Sequence, residues 1–289
     1  MPFLQFTADV GAADPGLLEE ACFLAGALSV TLTDAADNPV LEPAPGATPL
    51  WPTIRLSALF PEQDPQRVAA LLTTFLDEPL PLHRFEEVRD RPWEREWLKD
   101  FRPLRFGKRL WVCPHGAPAP DEDAVVVWLD PGLAFGTGSH PSTRLCLEWL
   151  DAAQLNGSEA IDYGCGSGIL SIAALRLGAR SVVAVDIDPQ ALIATHDNAA
   201  RNDVAERVLT CPPEASVAAA DILLANILSE PLLELAPRFA TLVRPGGRLV
   251  LAGLIVSQAG PVTLAYRPWF DIRPSGAHDD WVCLEGVRR

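Results

Sequence analysis

One short glycine-rich stretch constrains the fold of this chain more than any other feature of its sequence. Residues 162–168 read D-Y-G-C-G-S-G, between a short apolar run and a helical pattern that begins at Ile169. Glycines at alternating positions allow a tight turn and let the backbone approach a ligand at distances that a Cβ would block. A strand, a glycine turn and a helix in this order predict an α/β unit with a ligand at the turn.

A carboxylate follows at the spacing that such a unit needs. Residues 182–185 read as a second buried strand, which ends at Asp186 about twenty residues after the turn. In α/β folds an acid in this position binds the hydroxyls of a ribose, and its charge repels a 2′-phosphate. The two features predict a nucleoside site. A dinucleotide fingerprint would need a third glycine at position 169, where this chain has Ile169.

The composition limits the class of protein. The 289 residues carry a net charge of −15, which argues against a protein that coats nucleic acid. Apolar runs are too short to span a bilayer and the first residues do not resemble an export signal, so we expect a cytoplasmic protein without membrane contact. The six cysteines are scattered without a C-x-x-C pair, which predicts buried reduced thiols and no metal site.

Residues 1–88 predict a small separate domain with internal symmetry. Two helices, opened by Asp-Pro pairs at Asp14 and Asp64, alternate with four β-rich runs in the order β-α-β-β-α-β. This order predicts a ferredoxin-like α+β domain. It carries no pocket motif, so we interpret it as a recognition module. Residues 89–103 follow as a connector, in which W-E-R-E-W at 93–97 has helical spacing.

Residues 104–289 predict the larger domain. Strands and helices alternate through most of it, which is typical of a doubly wound α/β sheet. Patterns at 270–273 and 281–286 predict a terminal β-hairpin, and P-G-G at 245–247 predicts a turn. The stretch 203–220 is rich in alanine and proline, and no element is predicted there.

A second glycine-rich stretch, D-P-G-L-A-F-G-T-G-S-H-P-S-T, occupies residues 130–143. Thr143 lies at the predicted N-terminus of the next helix, where anionic groups bind favourably, so it is a candidate for binding a ligand carboxylate. The alternative is that Thr143 only caps its helix. His140 is either a base or, as is more common, a hydrogen-bonded scaffold residue, and we do not count it as catalytic.

The first glycine stretch resembles motif one of the S-adenosylmethionine-dependent methyltransferases, with an acid two residues before the first glycine. The resemblance implies the class I fold, a doubly wound sheet with a terminal hairpin, and S-adenosylmethionine as cofactor. It places Asn226, at the end of the fourth strand of that fold, opposite the transferring methyl group. The alternative is that Asn226 only forms a turn at the end of its strand. Residues 227–229 lack the prolines and the aromatic of base-methylating enzymes, so we do not expect a nucleobase as target.

Several segments together resemble the bacterial PrmA family, over nearly the whole chain. They are L-D-P-G-L-A-F-G-T-G-S-H-P-S-T (129–143), D-Y-G-C-G-S-G-I-L (162–170), D-I-D-P (186–189), A-N-I-L (225–228), W-E-R-E-W (93–97) and R-F-G-K-R-L-W (105–111). Family members methylate protein eleven of the large ribosomal subunit, at lysine side chains and at the N-terminal α-amine. The resemblance implies that the small domain holds this substrate. It assigns cofactor contacts to Thr143, Gly164, Asp186 and Asn226, to which we add Gly166 of the same turn, and Asn226 is the candidate catalytic residue.

The implied reaction is an in-line displacement at a sulfonium methyl, catalysed by alignment of the reactants. A free lysine amine is protonated at neutral pH, and a site of low dielectric near Asn226 and residues 136–138 would favour the neutral form. We therefore hypothesise that no residue acts as a dedicated base.

Three other functions remain open. A dehydrogenase would need the glycine missing at position 169, and a non-catalytic ribosome- or RNA-binding protein disagrees with the acidic charge. The third is a methyltransferase of the same fold that acts on another protein or on a small-molecule amine. We expect a monomer that binds protein eleven of the large subunit and does not bind nucleic acid directly.

Overall fold

The chain divides into two compact units, Met1–Glu96 and Trp97–Arg289. The computed structural model describes residues 2–11, 14–36, 50–61, 63–76, 79–88, 102–118, 120–121, 123–129 and 140–289. Residues 89–101 of the predicted connector, with its W-E-R-E-W segment, lie outside the described residues. So do residues 130–139 of the second glycine-rich stretch.

The first unit contains a four-stranded antiparallel sheet and two helices. Its elements are β1 (Phe3–Gly11), α1 (Gly16–Leu24), β2 (Ser29–Asp34), β3 (Ile54–Pro61), α2 (Pro65–Leu76) and β4 (His83–Val88). The strand order is β2-β3-β1-β4, which agrees with the predicted β-α-β-β-α-β arrangement. The carboxylate of Asp14 accepts the N–H of Gly16 at 2.9 Å, and that of Asp64 accepts the N–H of Gln66 at 3.0 Å. The two Asp-Pro pairs therefore open the helices as predicted.

The core of the first unit lies on one face of its sheet. Alternate residues of β1, namely Leu4, Phe6 and Ala8, are buried, as are Leu56, Ala58 and Phe60 of β3. They pack with Leu18 and Cys22 of α1 and Val68 and Leu72 of α2. Period-two burial is what a sheet covered on one face requires.

The second unit contains a seven-stranded sheet with helices and a separate three-stranded sheet. Its elements are β5 (Leu104–Phe106), β6 (Leu110–Cys113), β7 (Val125–Trp128), α3 (Pro141–Ala152), β8 (Glu159–Tyr163), α4 (Ile169–Arg176), β9 (Ser181–Val185), α5 (Pro189–Arg201), β10 (Val208–Cys211), β11 (Ala220–Asn226), α6 (Ser229–Leu242), β12 (Val243–Ile255), α7 (Ala259–Tyr266), β13 (Phe270–His278) and β14 (Trp281–Arg288). The large sheet has the order β10-β9-β8-β11-β12-β14-β13, and β5-β6-β7 form the small one.

The direction of the strands confirms the predicted doubly wound sheet with a terminal hairpin. Strands β10, β9, β8, β11 and β12 are parallel, and β14 pairs antiparallel with both β12 and β13. One apolar cluster lies on the face covered by α3 and α4, and a second lies on the face covered by α6 and α7. Strand β11 is buried from Ile222 to Ala225, as expected for a parallel strand covered on both faces.

Three predictions for this unit need correction. Strand β10 lies within residues 203–220, where no element was predicted, and α7 was also missed. The predicted turn at 245–247 is a bulge inside β12, because Val243 is opposite Ala220 whereas Arg248 is opposite Ile222. The extra residues of β12 are accommodated by Gly246, whose φ is 78°.

An ion-pair network joins the amino ends of three adjacent strands. The Arg244 guanidinium of β12 binds the Asp221 carboxylate of β11 at 2.7 Å and also the Glu159 carboxylate of β8. The second oxygen of Asp221 accepts the backbone N–H of Glu159 at 2.9 Å. These contacts connect β8, β11 and β12 in one register.

All six cysteines are free thiols. Their interpretation as small buried residues is confirmed for five of them, whereas Cys211 is only partly buried. Within the part of the chain that the structure describes, the helices are too short or too polar to cross a bilayer.

Candidate active site

The turn after β8 has a backbone conformation that glycine adopts readily and other residues do not. Gly164 and Gly168 have φ angles of 84° and 79°, in the left-handed region. A Cβ on Gly168 would lie 2.9 Å from the side chain of Thr195, and a Cβ on Gly164 would overlap Ile227. The N–H of Gly164 donates to the carbonyl of Val185 at 2.7 Å, which ties the turn to the end of β9.

Asp186 follows β9, and its carboxylate is held by backbone donors. Oδ2 accepts the N–H of Gly166 at 2.9 Å, and Oδ1 accepts the N–H of Asp188 at 3.0 Å. Each oxygen of a carboxylate offers two lone pairs, so each retains one acceptor position. The geometry leaves Asp186 able to accept two further hydroxyl groups, as a ribose would supply.

The next residue is an apolar side chain that sequence reasoning did not single out. Ile187 is 85% exposed, which is unusual for an isoleucine. Its position beside Asp186 provides apolar surface for the base of a nucleoside. The sequence signal that could have indicated Ile187 is its position directly after Asp186 in D-I-D-P (186–189).

Asn226 ends β11, and its side chain reaches the first turn of α3. Its Nδ2 donates to Oγ1 of Thr143 at 3.1 Å. Thr143 is buried inside the helix, and the N-cap is His140, whose Nδ1 accepts the N–H of Ser142 at 3.3 Å. The alternative that Thr143 only caps its helix is therefore wrong. The amide of Asn226 thus bonds an element that is distant in the chain.

The order of the strands brings these side chains to one edge of the sheet. Strand β8 lies between β9 and β11, so its turn at 164–168 lies between Asp186 and Asn226. The chain leaves β8 in one direction to β9 and later returns on the other side to β11. Open α/β sheets bind ligands at this kind of switch point, beyond the carboxyl ends of the strands.

The imidazole of His140 is held by contacts with Ser142 and Trp281. Its Nδ1 is 2.7 Å from Oγ of Ser142, and its ring packs edge-on against Trp281 with the centroids 4.5 Å apart. Burial lowers the pKa of His140 from its usual value, which favours the neutral imidazole. These contacts agree with a scaffold role.

Asp162, directly before the turn, is a fully buried carboxyl group. Its Oδ2 accepts the N–H of Ser171 at 3.0 Å and the hydroxyl of Ser171 at 2.7 Å. Its Oδ1 has no hydrogen-bond partner among the described residues. Burial raises the pKa of Asp162 to about 6, against the lowering effect of Ser171. The side chain thus joins the end of β8 to α4 beneath the turn.

The residues present fit S-adenosylmethionine, a nucleoside with an amino-acid tail. Asp186 has acceptor positions left for the ribose, Ile187 offers apolar surface for the base, and the glycine turn lies between Asp186 and Asn226. No group of three metal-ligating side chains occurs within the described ranges. The acceptor positions of Asp186 and the apolar surface of Ile187 suit an organic cofactor bound by hydrogen bonds and apolar contact.

Comparison with known proteins shows the family to which the chain belongs. Residues 3–289 match the family described as ribosomal protein L11 methyltransferase (PrmA). The ribosomal protein L11 methyltransferase of Azotobacter vinelandii is 49% identical over 292 residues, and that of Cellvibrio japonicus is 47% identical over 291. The alignments cover 100% of this chain and 100% and 99% of these two relatives, respectively.

A solved structure gives the same result. The crystal structure of the ribosomal protein L11 methylase of Lactobacillus delbrueckii subsp. bulgaricus has a TM-score of 0.59 and 30% sequence identity. The match covers 65% of this chain and 100% of that one. The chain has the class I methyltransferase fold and uses S-adenosylmethionine as its cofactor, and it belongs to the PrmA family of ribosomal protein L11 methyltransferases.

Proposed function

We propose that this enzyme methylates ribosomal protein L11 at lysine side-chain amines and at the N-terminal α-amine. The observation that carries the proposal is the end of β11, where Asn226 bonds Thr143 beside the glycine turn. The residues after it, Ile227 and Leu228, are aliphatic, whereas an enzyme that methylates a flipped base needs an aromatic to stack on. An aliphatic site with one amide suits an alkyl amine.

The cofactor contacts in this proposal come from four elements. Asp186 accepts the ribose hydroxyls, and Gly164 and Gly166 let the backbone approach the methionine portion. Thr143 and Asn226 border the methionine end, and Thr143 lies in the first turn of α3, where a carboxylate is stabilised by the helix dipole. Ile187 is our addition, as the apolar contact for adenine.

We propose that the enzyme catalyses the reaction by aligning the substrate amine with the methyl group of the cofactor. The bound cofactor supplies a methyl group on a positively charged sulfur, which an amine displaces in line. Thr143 holds Nδ2 of Asn226, which leaves the Oδ1 of that amide to accept an N–H of the substrate amine. One such contact orients the lone pair of the amine, and correct orientation supplies much of the rate of a reaction between two bound molecules.

The amine must be neutral when it reacts. A lysine amine has a pKa of about 10.4 in water, and transfer to an apolar site lowers it. The aliphatic side chains of Ile227 and Leu228 follow Asn226 in the chain and would provide such surroundings once the substrate covers them. His140 is engaged with Ser142 and Trp281, so we propose that the proton leaves to water and that no residue acts as a dedicated base.

We propose separate roles for the parts of the chain. Residues 1–88 recognise the substrate, residues 89–103 connect, and residues 104–289 bind cofactor and catalyse. A photo-crosslinking side chain at Leu82, which is 84% exposed in the first unit, should capture L11. The same group at Ile193, which is 63% exposed on α5, is the control. Capture only from position 193 would contradict the assignment.

We propose further that the protein acts as a cytoplasmic monomer and does not bind nucleic acid directly. The net charge of −15 supports the last point, since phosphate contacts need Lys and Arg. Light scattering of the purified protein, with and without ribosomal RNA, tests the oligomeric state and the expected lack of RNA binding. A stable dimer or a stable RNA complex would contradict them.

The function is tested by transfer of labelled methyl groups from S-adenosylmethionine to ribosomal proteins of cells that lack this gene. We expect one protein, L11, to gain whole numbers of methyl groups in an intact mass spectrum, and Asp186→Ala to abolish the gain. Peptide mapping should locate the label on lysines and on the first residue. Label on another protein or on a small amine, with cofactor binding intact, would support the alternative methyltransferase instead.

A further inference from the structure

The residue after Asn226 lies against β12 without space for a side chain between them. Asn226 pairs with Ala252, and the next residue of β12 is Gly253, with a φ of 82°. A Cβ on Gly253 would lie 2.8 Å from the carbonyl carbon and 3.0 Å from the nitrogen of Ile227. Real Cβ atoms do not approach backbone atoms this closely, so the backbone of Ile227 is held directly against β12.

The side chain of Ile227 contacts the cofactor turn on the other side. A Cβ on Gly164 would overlap the Cγ2 of Ile227, and it would be 3.8 Å from its Cβ. Strands β8 and β12 are the two neighbours of β11, so Gly164 and Gly253 enclose Ile227 from both sides. The γ-methyl therefore occupies the space that the missing side chain of Gly164 leaves.

Two consecutive residues thus connect the end of β11 to both parts of the site. Asn226 bonds Thr143 on α3, and Ile227 packs against Gly164 in the turn. A small displacement of this dipeptide would change the distance between the turn and the amide. Misplacement by about 1 Å can reduce the rate of an aligned reaction a hundredfold.

We infer that Ile227 is a positioning residue for methyl transfer, because its side chain, enclosed by Gly164 and Gly253, sets the gap between the cofactor turn and Asn226. The inference rests on the proposed function. Ile227 is also partly buried against the core cluster below α6, so its replacement affects packing as well. The test must distinguish a change in the distance between the cofactor turn and Asn226 from a loss of folding stability.

The first test compares three variants by kcat on L11 at saturating cofactor and by calorimetric binding of S-adenosylhomocysteine. Ile227→Ala removes Cγ2, and we expect kcat to fall about a hundredfold. The affinity for S-adenosylhomocysteine should change by less than about fivefold, since no more than about one methyl contact at the cofactor turn is lost. Ile227→Val keeps both γ-carbons and should recover most of kcat. Ile193→Ala makes the same change at an exposed site and should match the wild type.

The second test is a double-mutant cycle on the contact itself. Gly164→Ala places a methyl group where Cγ2 of Ile227 lies, and we expect the affinity for S-adenosylhomocysteine to fall at least about tenfold. Adding Ile227→Ala to Gly164→Ala removes the overlap and should recover about threefold or more of that loss. A deficit remains because alanine is strained at a φ of 84°.

The outcomes separate this inference from the proposed function. If the wild type does not methylate L11, the proposed function fails, and the binding cycle still tests the contact. If the wild type is active and Ile227→Ala keeps its kcat, or if the cycle shows no recovery, the inference is wrong. A variant whose thermal unfolding midpoint falls while kcat on the folded fraction is unchanged also contradicts it.

Discussion

The Nδ2 of Asn226 lies 3.1 Å from Oγ1 of Thr143, and these two residues are 83 positions apart in the chain. The bond joins the end of a central strand to the first turn of α3. With Nδ2 engaged in this bond, the Oδ1 of the amide is left to face the site. The hydroxyl group of Thr143 thus restrains the candidate catalytic residue.

Replacing Thr143 by valine keeps the shape of the side chain and removes the acceptor. We expect kcat/KM to fall between about ten- and a hundredfold, because an unsatisfied partially buried amide costs about 1–3 kcal/mol. Thr143→Ser keeps the hydroxyl and should retain most of the activity. Equal activity of Thr143→Val and wild type would show that the bond does not orient Asn226.

Replacing Asp186 by asparagine should reduce cofactor affinity about a hundredfold, because hydrogen bonds to a charged group contribute roughly 1.5–3 kcal/mol each. The amide would also direct an N–H toward one of the two backbone donors that now bind the carboxylate. Isothermal calorimetry with S-adenosylhomocysteine measures the change.

Asp188, two residues away, provides a matched control. Its carboxylate caps α5 by accepting the N–H of Gln190 at 2.9 Å. Asp188→Ala should therefore lower the free energy of unfolding by about 1 kcal/mol and leave cofactor affinity nearly unchanged. If Asp188→Ala binds the cofactor weakly and Asp186→Asn binds it as tightly as the wild type, the assignment of Asp186 as the ribose-binding acid is wrong.

Replacing His140 by alanine should cost stability rather than chemistry. Loss of the N-cap of α3 is expected to lower the free energy of unfolding by about 1 kcal/mol. His140→Asn keeps a capping side chain and should restore it. A steep loss of kcat at saturating L11, with cofactor affinity intact, would identify His140 as the base that we propose is unnecessary.

The buried carboxyl of Asp162 predicts a pH effect of defined sign. Its pKa is raised to about 6 in the folded protein, whereas an unfolded aspartate has a pKa of about 3.9. The folded protein therefore holds a proton that the unfolded chain has released, and this contribution to stability is lost as pH rises from about 4 to 6. The difference in unfolding free energy between Asp162→Asn and wild type should increase by roughly 3 kcal/mol over that range.

Asp221 should show the opposite sign in the same measurement. The backbone N–H of Glu159, with the Arg244 guanidinium, lowers the pKa of Asp221, so its contribution is present at neutral pH and is lost toward acid pH. Denaturant unfolding of both variants, Asp162→Asn and Asp221→Asn, at several pH values distinguishes the two. Parallel pH profiles of Asp162→Asn and wild type would contradict the buried-proton interpretation.

Sequence reasoning reached the main sheet because its signals are local. A buried strand, a glycine turn and a following helix are determined by neighbouring residues, and Pro141 and Pro189 mark helix starts where the structure has them. Strand β10 was missed because it has four residues at the edge of the sheet, with Leu209 exposed, so its pattern is weak. Helix α7 was missed because Gly260-Pro261 near its start resembles a turn.

The contacts of the candidate site could not be predicted in this way. Asp186 and the glycines were found from spacing, but the bond from Asn226 to Thr143 depends on the packing of α3 against the sheet. The enclosure of Ile227 by Gly164 and Gly253 depends on three strands at once. Such distances follow from the assembled fold and leave no periodic pattern in the chain.

The ion-pair network at the amino ends of β8, β11 and β12 has a consequence at the opposite edge. Asp221 and Asn226 belong to the same strand and are five residues apart, roughly 16 Å along it. A slip of β11 by one residue would turn the Asn226 side chain to the other face of the sheet. By pairing with Asp221, Arg244 therefore helps to hold the register of β11, the strand that carries the Asn226 amide. In a mutational survey scored by methylation alone, Arg244 would appear among the functional positions although it touches no reactant.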